Sequence, residues 1–443
     1  MNWTAIEREA EELLVDLVRA DTSNPPGNEV EAAGILSRYF EHCGVPHQVI
    51  ESEPGRANVL AEVGEGSRPP LYLVSHLDVV GPGDGQWERD PFGGEIADGE
   101  IWGRGTVDTK QVTAMDAVTL ALLVRRGAIL RRRLVFLATA DEERGSRLGM
   151  QHLVESLPGL FQPGLALNEG GGFSVQINGR RFYLLDSAQK GSAQFSLRAE
   201  GGQAGHPGHR RERTPIRDIT EALGRIYDLE APAVLGETSR EFFSLAADAL
   251  DLELPPPGSP PGEVDRVVSE IICSVDDPVL RGCLSDAVRT TYSPNVISGG
   301  GDVRRPPVSA RAGGTCRILP DVSCGSLHSQ MEAMLAGVDV QCSIDSFSPG
   351  YDAGTDNELV ATCREVIEEL DPGARVLPFF AVGRTDSRLL WPKEIRPYGF
   401  APVRGLSLGE AVARAHGVDE RLPRESLGFG VRATYMVAEK MCT

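Results

Sequence analysis

Residues 134–146 read LVFLATADEERGS, an apolar run followed by a turn that carries Asp141, Glu142 and Glu143 in a row. The first half suits a buried strand, so the three acids stand at that strand's C-terminal end. Negative charge without compensation beside a buried strand is costly, and a bound cation would relieve it. The same grammar recurs in GLALNEGGG (164–172), where a short strand runs into Glu169 and three glycines that permit close backbone approach. LYLVSHLDVV (71–80) is a further apolar strand, ending in His76 with Asp78 two residues on. Segments of helical period lie between these strands. Ile6, Ala10, Leu13, Leu14, Leu17 and Val18 share one face, a second helix runs from about Glu29 to Cys43 and stops at Gly44, and a third lies near 112–126. Strands alternating with helices predict an α/β fold, a mixed, largely parallel sheet flanked by helices, with its ligand beyond the strands' C-terminal ends.

From about Gly191 the rhythm changes. SAQFSLRAEG reads as a strand, 215–229 as a helix, 307–320 as a strand and 325–337 as a helix, with a Pro-rich stretch, ELPPPGSPPG, at 253–262. This α+β pattern predicts an inserted domain over 189–350, leaving a discontinuous catalytic domain of 1–188 and 351–443.

Composition narrows the function. The 443 residues suffice for two or three domains at roughly 150 residues each. No apolar run approaches the roughly 18 residues of a membrane span. The N-terminal MNWTAIEREAEELL lacks the basic flank and apolar core of a secretory signal, so a soluble, cytoplasmic protein is expected. With 44 basic and 64 acidic side chains the net charge is −20, which disfavours nucleic acid and anionic membranes as partners. The eight cysteines form no CxxC pair, so any metal falls to histidines and carboxylates, a donor set suited to hydrolysis.

His76 alone reads as either a structural histidine or a ligand. Asp108, in the Gly-rich turn GRGTVDTKQ (103–111), reads as either a helix cap or a ligand. A phosphate loop would need Gly directly before Lys110, where the chain has Thr109. ARAHGVDER puts His416 in a polar segment near the C-terminus. Taken together, a His, an Asp, a Glu pair, a Glu and a second His are the ligand set of a dinuclear zinc hydrolase.

In that order, SHLDVV, GRGTVDTK, DEERGS, LNEGGG and HGVDER resemble the family of acetylornithine deacetylase, succinyl-diaminopimelate desuccinylase, aminoacylase and glutamate-releasing carboxypeptidases. TSNPPGNE, GGQAGHPG, TTYSPNVISGG, CRILPD and RTDSRLL extend the resemblance over nearly the whole chain. It implies a zinc exopeptidase-like catalytic domain with a lid that dimerises. It implies two zinc ions per chain, with cobalt or manganese as substitutes: His76 and Glu169 would hold one, Glu143 and His416 the other, and Asp108 would bridge them. Glu142 would be the general base and Asp78 the partner of His76. His206 would stabilise the oxyanion, Arg317 would pair with the substrate's carboxylate, and Asn295 would contact substrate. The expected activity is hydrolysis of an N-acyl amino acid or dipeptide-like amide next to a free carboxylate. A di- or tripeptide aminopeptidase, a carbamoyl-amide hydrolase and a silent zinc-binding homologue are the alternatives.

Three segments depart from the family pattern: GDVRRPP brings Asp302, Arg304 and Arg305 where an Asn is expected, Thr315 replaces an Asp, and Arg384 stands where Gly often precedes Thr-Asp. All three bear on specificity rather than on the metal set.

Overall fold

A computed structural model describes residues 1–201, 213–229, 231–301, 307–381 and 383–443. The LVFLAT run lies in the strand Arg132–Thr139. It is flanked by Arg56–Val63, antiparallel, and by Arg68–His76, parallel. Leu134 and Phe136 enter one core with Leu71 and Leu73, while Val135 and Leu137 enter another with Tyr72 and Val74. Successive side chains point to opposite faces, so a strand buried on both must be apolar throughout.

These strands belong to a sheet of ten among the described residues. Its centre is parallel: Arg132–Thr139, Arg68–His76, Gly164–Asn168 and Ile395–Gly399. On one side His47–Glu53 and Arg56–Val63 run antiparallel to their neighbours; on the other, Arg180–Gln189 runs antiparallel to Ile395–Gly399 and parallel to Arg375–Phe380. The expected mixed sheet, flanked by helices, is therefore present. Trp3–Arg19, Glu29–Cys43, Lys110–Arg125, Glu358–Leu370 and Arg424–Cys442 cover one face. The shorter Met150–Ser156 and Ser387–Leu390 pack on the other. Helix Glu29–Cys43 ends as its sequence predicts, on Gly44 at φ 70°.

A second, antiparallel sheet has the order Thr291–Gly299, Ser309–Ile318, Gly191–Glu200, Gln341–Ser348. Residues 191–200 alternate between buried and accessible positions, as in a sheet covered on one side only. Helices Pro215–Tyr227 and Cys324–Met334 supply that cover.

Three helices that the sequence reading leaves unassigned, Glu237–Ala249, Pro261–Cys273 and Pro278–Ala287, lie between the strands of this second sheet in the chain. Their buried face, with Phe242, Phe243, Val268 and Ile271, packs on Phe182, Leu184, Leu377 and Phe379 of the larger sheet. The interval 189–350 thus divides by packing, its sheet forming one core and these helices sharing another with the ten-stranded sheet.

Candidate metal centre

The parallel strands deliver acids and a histidine to one edge. His76 is the last residue of its strand, Glu169 follows Gly164–Asn168, and Glu142 and Glu143 form a short turn after Arg132–Thr139. Asp108 comes from the loop before helix Lys110–Arg125, and His416, at φ 60°, follows helix Leu408–Arg414. His76 Nε2 lies 3.2 Å from Asp108 Oδ1 and 3.2 Å from Glu169 Oε2. His416 Nε2 lies 3.0 Å from Asp108 Oδ2 and 3.1 Å from Glu143 Oε1. Asp108 therefore offers one oxygen to each of two donor triads.

The ring of His76 is oriented by its other nitrogen, which donates to the Asp78 carbonyl at 2.8 Å. That leaves the Nε2 lone pair facing two carboxylates, an arrangement that needs a positive charge between them. The Asp78 carboxylate is 3.5 Å from the ring. Its shorter contacts hold the acidic turn: it accepts the backbone N–H of Glu142 at 3.0 Å and of Glu143 at 3.2 Å, and Asn24 Nδ2 at 2.9 Å. Asp141 faces away from the donors and is bound by Asn24 at 3.0 Å and Arg56 at 3.2 Å.

Glu420, fully buried, shapes the Asp108 loop. One oxygen accepts the N–H groups of Gly105, Val107 and Asp108 at 3.1, 2.7 and 3.1 Å, and the other takes Arg104 Nη1 at 2.6 Å. Gly105, at φ 91°, leaves no room for a Cβ, which would meet Val79 and Lys110 at 2.9 Å. Lys110 turns away from the site and donates to the carbonyls of Leu17 and Ala20 at 2.8 Å each. The glycines after Glu169 do permit close approach: a Cβ on Gly171 would sit 2.1 Å from the Gly399 carbonyl oxygen. Asp386 lies under the acidic turn, bound by Thr139 Oγ1 at 2.8 Å and by Ser146 Oγ. Asn24, Glu420 and Asp386 all lie in motifs quoted above, yet nothing in the sequence assigns them these roles.

Electrostatics point the same way. Burial disfavours a charged His76, but Glu169, Asp108 and Asp78 raise its pKa well above the ordinary value. Hydrogen bonds to Asp108 and Glu143 push His416 up to about 10. Burial works against an ionised Asp108, yet His416 and His76 hold it well below the usual carboxylate range. Burial, followed by the charge of Glu169, pushes Glu142 well above it. The protein thus favours positive charge at both imidazoles, and a divalent cation suits each position better than a proton because each imidazole faces two carboxylates, whose combined charge one proton does not balance. Donors about 2.0–2.2 Å from a tetrahedral cation stand roughly 3.3–3.6 Å apart, a few tenths of an ångström beyond the 3.0–3.2 Å separations found. The donor set fits two metal ions.

A cavity of about 290 Å³ opens beside these donors, with Glu142, Glu143 and Arg384 on one side and Phe173, Phe379 and Leu408 on another. Arg317 stands on the accessible face of the second sheet, in a groove that also contains Arg384. Asn295 is exposed at a bulge on the outer strand Thr291–Gly299 and is not among the residues lining the cavity. His206, Asp302, Arg304 and Arg305 lie outside the described residues. Among the described residues, no helix is long and apolar enough to cross a membrane.

The chain is 27% identical over 368 residues to the N-fatty-acyl-amino acid synthase/hydrolase PM20D1 of Xenopus tropicalis, covering 81% of this chain and 70% of that protein. It is 38% identical over 136 residues to succinyl-diaminopimelate desuccinylase of Methylobacterium radiotolerans, covering 30% of this chain and 34% of that enzyme. The fold is similar to that of the M20 family metallo-carboxypeptidase Sso-CP2 from Sulfolobus solfataricus, with a TM-score of 0.68 at 17% identity, over 97% of this chain and 98% of the other. The profile of Peptidase family M20/M25/M40 matches residues 72–440. With this match and its two triads of metal donors, the chain belongs to peptidase family M20/M25/M40 and is a metal-dependent hydrolase of amide bonds.

Proposed function

We propose that the enzyme hydrolyses the amide of an N-acyl amino acid or dipeptide-like substrate that carries a free carboxylate. The observation that carries this reading is the sharing of Asp108 between two triads, with the unpaired carboxyl of Glu142 beside them in the cleft. His76, Asp108 and Glu169 would hold one metal ion, and Asp108, Glu143 and His416 the other. Zinc suits these ligands, with cobalt or manganese as substitutes. When bound, such ions acidify water and polarise a carbonyl. The chain's own contribution is proton traffic and orientation: Glu142 accepts the proton of the attacking water and passes it to the leaving nitrogen. Asp78 fixes Glu142 through the backbone, so that it faces the cleft while Glu143 faces His416. A silent metal-binding homologue would have no use for a carboxyl placed in this way.

The Xenopus relative's name supports an N-acyl amino acid as substrate. We further propose that residues 1–188 and 351–443 form the catalytic domain and that the inserted 189–350 acts through its own four-stranded sheet as a lid that carries the dimer contact, His206 and Arg317, its helices between 237 and 287 seating it on the catalytic sheet. A cytoplasmic location is supported by the eight free cysteines. The test is a panel of N-acyl amino acids and dipeptides with zinc- and cobalt-loaded protein. Release of the amino acid from N-acyl substrates is expected, and activity confined to substrates with a free N-terminal amine would favour the aminopeptidase alternative.

A further inference from the structure

We propose that Arg384 is a specificity residue, receiving the substrate's carboxylate in a cationic gap between the metal centre and the open face of the second sheet, with Arg317 on the opposite wall. This rests on the amide-hydrolase reading above. Arg384 lines the cavity that contains Asp108, Glu142 and Glu143, and it also lines the neighbouring groove with Ser192, Thr315 and Arg317. It is the residue at which the two spaces meet.

Among the described residues, neither Arg384 nor Arg317 has a hydrogen bond or close ion pair. Arg388, four residues on, is held differently, donating to the carbonyls of Thr385 and Gly145 at 2.8 and 2.9 Å and to Ser146 Oγ at 3.1 Å. Partial burial and repulsion by Arg388 and Arg317 push the Arg384 pKa down, with Glu142 the attractive charge acting on it. Guanidinium groups held near one another without a counter-ion form a site for an anion, and their planar donors match a carboxylate.

The other walls exclude that anion. Phe173, Leu184, Phe379, Leu408 and Val412 form an apolar lobe, and Glu169 and Asp186 would repel a carboxylate. A substrate therefore lies with its carboxylate toward Arg384, its amide at the metal donors and an apolar acyl group or side chain in the lobe. The sequence marks Arg384 as a departure from the family's usual glycine, and a glycine there would offer no charge.

The test compares wild type, R384M and R384E, all zinc-loaded, on an N-acetyl amino acid and its C-terminal amide, following release of the α-amine. For the acid, KM should rise about 10-fold or more in R384M and further in R384E, with kcat within about threefold. For the amide, KM should not follow the charge at this position. Equal effects on acid and amide, or an acid KM indifferent to the charge, would overturn the proposal. If wild type hydrolysed neither compound, the amidohydrolase reading would fail instead. Calorimetric binding of the N-acetyl amino acid to metal-loaded wild type and R384M would then decide the role of Arg384, equal affinities refuting it.

Discussion

Glu142 and Glu143 are adjacent in the chain but differ in partner: Glu143 reaches His416 at 3.1 Å, whereas Glu142 makes no side-chain hydrogen bond among the described residues. Glu142→Gln should therefore leave metal content at the wild-type level while lowering kcat by about 10²–10⁴-fold, the usual contribution of a positioned base. Metal analysis beside the assay checks it, and a loss of metal would assign Glu142 to the ligands instead. Asp116 belongs to neither donor triad. It is buried in helix Lys110–Arg125 with Oδ2 unpartnered, and burial raises its pKa well above the ordinary value. Its folded form binds a proton that the unfolded chain has already released. Stability should fall as pH rises above the ordinary aspartate range, by up to about 1.4 kcal/mol per pH unit, until the folded pKa is passed. Asp116→Asn should remove that slope and raise Tm near pH 7, which denaturation at several pH values would measure. At this scale the residues of the two donor triads were legible as candidates because each sits in a distinctive local motif. Asn24, Asp386 and Glu420 were not, because their contacts span 54, 247 and 315 residues of sequence.

The loop at 103–109 is built around one carboxylate. Glu420 gathers three backbone N–H groups and the buried Arg104, and so fixes the direction of Asp108. Glu420→Gln should leave Arg104 without its counter-charge, at a cost of about 3–5 kcal/mol. It should also weaken metal binding about 10–100-fold, as loss of a ligand's supporting contact does. Unchanged Tm and metal affinity would remove Glu420 from this role. The central strands were readable because both faces are buried, so their middles, such as Leu134–Ala138 and Leu71–Val74, carry no charged side chain. The three helices between 237 and 287 escaped for a physical reason. Pro261 and Pro278 suggest breaks, but each stands at a helix start, where its missing N–H costs nothing. Phe242 and Phe243 gain their meaning only from packing on Phe379 and Phe182 of the larger sheet.

Across the whole molecule, the donors converge from residues 76 to 416, so the metal centre ties together segments from both ends of the chain. The mixed sheet was legible from alternation of strand and helix, whereas how the helices within 189–350 divide between two cores depends on contacts distant in sequence. The outer strand of the second sheet leaves Val296 and Ile297 64% and 62% exposed. Among the described residues this edge has no further strand beside it, and an apolar edge of this kind favours pairing with a second chain. If the dimer forms there, Ile297→Lys should shift sedimentation from dimer to monomer without changing metal content. An unaltered dimer would place the contact elsewhere. The central claim, that one aspartate joins two cation sites, is tested most directly by anomalous diffraction from crystals of the zinc-loaded protein. Two peaks are predicted, one beside His76 and Glu169 and one beside Glu143 and His416, with Asp108 in contact with both. A single peak at full loading, or two peaks without Asp108 between them, would contradict the account.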